Sequence, residues 1–255
     1  MKNLINVAKY TFLEVYRSKL MISLVFLAFG LVLVSYIASE FAYGAPGKVS
    51  LDIGLGFMSL SNLIIAIFIG STLLSREIEQ RTLYMIISRP ISRPSFLMGK
   101  ILGLSSFLLI NTFILGSLSI ILFILHGGDF EKLFIWTIYF SFIEALVVLV
   151  FAVLFSLITN TTLSVVFSIC IFIVGHALNE TSKLIFTKIS PFFTKIVEIS
   201  FVFVPNFYRL NLKDYVLYNQ KISQTYLMQT QLYIVFYLIA LLFLITLIFK
   251  NKNLD

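Results

Sequence analysis

Apolar runs too long for the interior of a small soluble protein organise this sequence. Six of them, at 20–39, 55–74, 101–125, 133–157, 163–178 and 232–249, alternate with polar stretches over 255 residues. A helix rises about 1.5 Å per residue, so about 20 apolar residues cross a hydrocarbon layer about 30 Å thick, and the run at 163–178 lies at the short limit. Hydrocarbon offers backbone N–H and C=O groups no water, so runs of this kind cross as helices. The expected fold is therefore an all-α, polytopic membrane protein. It has six transmembrane helices in one domain over 1–255, with both termini on the cytoplasmic side of the cytoplasmic membrane.

Composition excludes the main alternatives. Hydrophobic residues make up 59% and charged residues 12%, with a mean hydropathy of +1.00, which leaves too few polar groups to coat a soluble domain. A net charge of +7 would suggest nucleic acid in a soluble chain. Here the cations sit beside apolar runs, so we assign them to topology and to anionic membrane lipid, not to nucleic acid. Eleven of the 19 fall on the side of the termini and eight on the other, six of those in the long segment before the last run. The lone Cys170 rules out an intramolecular disulfide. Ala38 and Ser39 after the first run imitate a cleavage site, but the apolar core exceeds the usual 7 to 15 or so residues of a signal peptide, so no cleavage is expected.

The largest charged interruption between runs is 75–100, with Arg76, Glu77, Glu79, Arg81, Arg89, Arg93 and Lys100. Five cations there place it on the cytoplasmic side. Ser75 is a candidate cap for a short helix whose first turn carries Glu77, followed by Glu79. Pro90 and Pro94 stop that helix, and Pro94 suits the first turn of the next. Gly99 and Gly103 form a small-xxx-small pair at the entry to the third run, a spacing that permits close helix approach. Ahead of the first run, 1–19 reads as an amphipathic interfacial helix. Leu4, Ile5, Ala8, Phe12, Val15 and Tyr16 lie on one arc, Lys2, Lys9, Glu14 and Arg17 on the other, with Val7, Tyr10 and Leu13 misplaced.

The order of acids, Thr82-Leu83, the Ser-Arg-Pro-Ile-Ser-Arg segment ending at Ser92-Arg93, then Gly99-Lys100 and Gly103, resembles the cytoplasmic loop of ABC-2 type transporter permeases. The resemblance implies a coupling helix that docks on a separate ATPase subunit. Arg76, Glu77, Glu79, Gln80, Arg81, Thr82 and Leu83 would be on or beside the docking surface, and Ser92, Arg93, Gly99, Lys100 and Gly103 would lead back into the membrane. Gln80 departs from the glycine that many members carry there. The resemblance also implies an elbow helix at 1–19, a second permease copy, an ABC ATPase dimer, and short extracytoplasmic helices between the fifth and sixth spans. In that segment, 179–231, the run Val204 to Asp214 resembles permeases linked to copper-enzyme maturation, including the nitrous oxide reductase assembly permease. Pro205, Asn206, Phe207 and Asp214 then read either as a seat for an extracytoplasmic protein or as an aromatic cap on the bundle.

Little here suggests catalysis. A P-loop ending at Gly99-Lys100 would need glycine where Pro94 stands and Ser or Thr at Ile101, so ATP and magnesium belong to the partner and no cofactor is expected on this chain. His126 and His176 do not make a metal site, even with Glu180 one turn after His176. Glu144 is the one ionisable group deep in a run, and reads either as a lining or gating residue or as a structural partner of Asn111 or Thr112. The leading function is the permease subunit of an ABC exporter. A mechanical coupler passing ATPase motion to an extracytoplasmic partner is the alternative; a membrane-embedded enzyme or a proton-coupled secondary transporter has less in its favour.

Overall fold

The computed structural model describes residues 2–42, 44–79, 92–183, 195, 200 and 203–251. Those residues form helices and turns only: α1 (Lys2–Arg17), α2 (Leu20–Phe41), α3 (Pro46–Glu79), α4 (Arg93–Leu125), α5 (Leu133–Ile158), α6 (Thr161–Lys183), a 3-10 turn (Phe207–Arg209), α7 (Lys213–Leu217) and α8 (Gln224–Asn251). Five helices, α2, α3, α4, α5 and α8, are long and apolar enough to cross a membrane, and α6 adds a shorter apolar stretch over Thr161–Ala177. The fold is that of a polytopic all-α membrane protein.

Apolar runs alone misjudge where the helices end. Residues 46–54, which lie between the first two apolar runs, are the first turns of α3, because Leu51 and Leu55 are buried against Leu115, Ile120 and Phe134 while Ser119 of α4 fills the space beside Gly54. At its other end α3 continues through Ser75 to Glu79, so Ser75 lies inside a helix and caps nothing. The third span begins at Arg93 with Pro94 in its first turn, and the last spans 28 residues, longer at both ends than its apolar run. Backbone hydrogen bonding propagates through polar residues once a helix is nucleated, so polarity does not end it.

α5 lies at the centre of the bundle. Of its most apolar stretch 67% is buried, against 17% for α2 and for α8, which stand at the periphery. Two apolar clusters fill the bundle. The larger joins α4, α5 and α8 through Phe107, Phe140, Leu149, Ile245 and Phe249; the smaller, around Leu31, Met58 and Leu115, lies towards α7. α4 ends in a Schellman turn, with Gly127 at φ +85, its N–H on the Ile124 carbonyl and the Gly128 N–H on the Phe123 carbonyl. The end of α3, the start of α4, the α5–α6 turn at Thr159 and the end of α8 share one end of the bundle, here the loop end. The α2–α3 and α4–α5 turns, the 3-10 turn and α7 share the other, the cap end.

Candidate functional site

At the loop end, glycine dictates how α1 sits. A Cβ on Gly99 would come within 2.7 Å of Val7 Cβ and 3.0 Å of the Leu4 carbonyl oxygen, and one on Gly103 within 2.6 Å of Thr11 Cβ and 2.7 Å of the Ala8 carbonyl oxygen. The small-xxx-small pair therefore receives α1. The buried stripe of α1 is Val7, Thr11 and Val15, rotated from the arc expected from hydrophobicity; Ile5 and Tyr16 are exposed. The reason is steric. The groove over Gly99 and Gly103 accepts a close backbone and compact β-branched side chains, whereas the larger Ile5 and Tyr16 are left exposed.

Polar contacts hold the same seam. Lys100, buried, places Nζ 3.3 Å from Glu14 Oε2 and 5.8 Å from the Phe96 ring centroid. Glu14 is 62% exposed, so the pair fixes direction more than it adds stability. Arg93 donates from Nη1 to the Lys250 carbonyl at 3.3 Å, joining the first turn of α4 to the last of α8, where carbonyls lack helical partners. Ser92 is extended at the N-cap position, with Oγ 2.8 Å from Ser95 Oγ. Arg76, Glu77 and Glu79 are in the last two turns of α3, where only the backbone is described; Gln80, Arg81, Thr82 and Leu83 lie outside the described residues.

Midway through the bundle, polar side chains form a layer that only partly coincides with the expected one. Asn111 and Thr112 of α4 turn to α3. Asn111 Nδ2 donates to Asn62 Oδ1 at 2.7 Å and Ser61 Oγ at 3.1 Å, and Thr112 Oγ1 lies 3.0 Å from Asn62 Oδ1. Neither serves Glu144. Its neighbour is His176 of α6, whose Nε2 stands 3.3 Å from Oε1, an ion pair when the imidazole is protonated, and Oε1 accepts no hydrogen bond. His176 is thereby turned towards α5, with Phe207 stacked on it at a centroid distance of 5.6 Å. The side chain of Glu180 lies outside the described residues. Among the described residues no three His, Cys, Asp or Glu side chains gather as metal ligands.

Glu144 also lines a cavity. Its side chain borders a small space shared with Ser59, Asn62, Ser141 and Phe172, and a wider one of about 280 Å³ that continues past Gly56 and Thr137 towards the cap end. Lys213, at the start of α7, stands at its rim with Nζ 2.7 Å from Asp52 Oδ1 of α3. The sequence reading missed Asp52, Ser59, Ser61, Asn62, Ser141 and Lys213. Asn62 within the second apolar run carried as clear a signal as Asn111.

At the cap end, Pro205, Asn206 and Phe207 are buried. Gly175 of α6 leaves room for Phe207, and the Asn206 N–H donates to the Tyr233 hydroxyl at 3.1 Å. Asp214 is exposed. These three side chains plug the bundle and leave Asp214 facing outward.

A family model described as ABC-2 family transporter protein matches residues 12–179, more than half of the chain and nearly everything from mid-α1 to late α6. The chain belongs to the ABC-2 transporter family. Among curated proteins none matches it. As an ABC-2 family protein it is a multi-pass permease, the membrane component of an ABC transporter. The match takes in the segment from Arg76 to Gly103 and the polar layer around Glu144; it ends before the Val204–Asp214 stretch, so the likeness to copper-enzyme maturation permeases rests on sequence resemblance alone.

Proposed function

We propose that this ABC-2 permease exports a substrate across the cytoplasmic membrane, driven by a separate ABC ATPase that docks on 76–83. The observation that carries the reading is the length of α3. Its apolar run ends at Leu74, yet the helix runs on without a break to Glu79, so the turn bearing Arg76, Glu77 and Glu79 is continuous with a span. Displacement of those turns moves α3, and α3 packs on α2, α4, α5 and α6. The seam between α1 and α4 beside it carries the same displacement to the N-terminal helix.

In this reading the loop end faces the cytoplasm with both termini, and the cap end faces outward. One permease domain pairs with a second copy, and ATP and magnesium stay on the ATPase dimer. The mechanical-coupler alternative has less support, since Pro205, Asn206 and Phe207 are buried and only Asp214 of that set is available to an outer partner.

The test is purification of the tagged chain from its native membrane, alongside a variant carrying Glu77→Arg and Glu79→Arg. An ATPase that accompanies the wild type and is lost from the folded variant supports the reading. Absence of any ATPase across several detergents sinks it.

A further inference from the structure

Beyond its family role, the permease has an internal space that no part of the coupling scheme uses. The cavity between α3, α5 and α6 has a floor, walls and a rim of distinct chemistry. At the floor Glu144, nine-tenths buried, lines both spaces; its Oε1 accepts no hydrogen bond and has His176 Nε2 3.3 Å away. Ser59 on α3 and Ser141 on α5 stand about one turn nearer the cap end, and both line the small and the wide spaces. Leu63 and Phe172 give the same two spaces an apolar and aromatic wall. At the rim Lys213 is held by Asp52, so its charge is already matched.

We propose that this cavity is a binding site, within a single permease chain, for a small organic cation with a protonated primary amine and an apolar body. An ammonium has three N–H donors and no acceptor. The Glu144 carboxylate and the hydroxyls of Ser59 and Ser141, from two helices, line the same two spaces and supply three acceptors. A carboxylate in hydrocarbon is costly without a counter-charge; the guest brings a permanent one, whereas the His176 imidazole 3.3 Å away is charged only when protonated. The aromatic face of Phe172 suits a cation at short range, and Leu63 suits its alkyl or aryl part. A volume of about 280 Å³ admits a phenylalkyl amine and excludes a polymer chain. Entry is from the cap end, past the Lys213–Asp52 pair. The inference rests on the transporter reading only for its purpose; binding itself needs no ATPase.

The experiment is calorimetric titration of the full-length chain in nanodiscs with 2-phenylethylammonium and with its neutral analogue 2-phenylethanol, each corrected for empty nanodiscs. The wild type is expected to bind the amine about tenfold or more tighter than the alcohol, the scale of a charge-assisted hydrogen bond. E144Q, which keeps the shape, is expected to bring the two within about twofold. S141L, which fills the space, is expected to abolish binding of both, with folding of each variant checked by its melting curve. Equal binding of amine and alcohol to the wild type overturns the proposal, as does an amine preference that survives in E144Q or no saturable binding of either probe. Absence of any ATPase beside the wild type in the co-purification above, with amine binding intact, would sink the coupling scheme and leave the site standing.

Discussion

The seam between α1 and α4 and the junction of α3, α5 and α6 are built from opposite materials. Along the seam, Gly99 and Gly103 remove side chains so that α1 reaches backbone contact, and no room remains for a methyl group. At the junction the side chains are larger and partly polar, yet a cavity of about 280 Å³ persists around Glu144. In lipid the hydrophobic effect does not drive helices together; dispersion contacts and interhelical hydrogen bonds do. The seam uses that packing to behave as one body, suited to carrying a push. The junction gives up packing, and a region that gives up packing retains the freedom to admit something else.

The sharpest way to break this contrast is to crowd the seam. Gly103→Leu is expected to displace α1 and to cost roughly 3 kcal/mol or more, the upper range of overpacking, read as a lower melting temperature and loss of a disulfide engineered between α1 and α4. A melting temperature within a degree of wild type would mean α1 is loosely held. Gly99→Ala is a smaller version, since a single methyl group meets Val7 Cβ at 2.7 Å, with an expected cost of about 1–3 kcal/mol.

At the junction the expectation reverses. Filling the cavity with Ser141→Leu should leave stability unchanged or raise it, because new dispersion contacts replace empty space. A clear loss of stability would show that the space is needed for packing. Between the two regions, Asn111→Ala should cost about 1 kcal/mol, the size of hydrogen bonds measured between membrane helices, and denaturation in mixed micelles would read it. Smallest of all, Glu14→Gln should cost under about 0.5 kcal/mol and lose even that in high salt, since Glu14 is mostly exposed.

What could be read early and what could not divide along the same line. Helix-forming runs, the α1 helix and the Pro94 entry of α4 follow from local chemistry, where each residue's preference acts on its own neighbours. Helix ends were harder. Residues 46–54 look polar enough for a loop, but buried Leu51 and Ser119 beside Gly54 extend α3 through them. Glu144 was visible as an intramembrane acid, whereas its neighbour could not be read. Asn111 and Thr112 were reasonable candidates by depth, and helix rotation turned them to Asn62.

The sequence by itself determined that this chain is a polytopic helical membrane protein, because long apolar runs in hydrocarbon have no other way to satisfy their backbones. It also determined the family resemblance, through the order of residues from Arg76 to Gly103. Only the tertiary structure decided that Gly99 and Gly103 receive α1, that Phe207 plugs the bundle over His176, and that Glu144 borders a cavity with Ser59 and Ser141. Those pairings depend on how far each helix is rotated and raised against its neighbours. In a bundle where most residues are interchangeably apolar, rotation is set by a few glycines and polar side chains acting together across helices, and linear spacing does not carry that information.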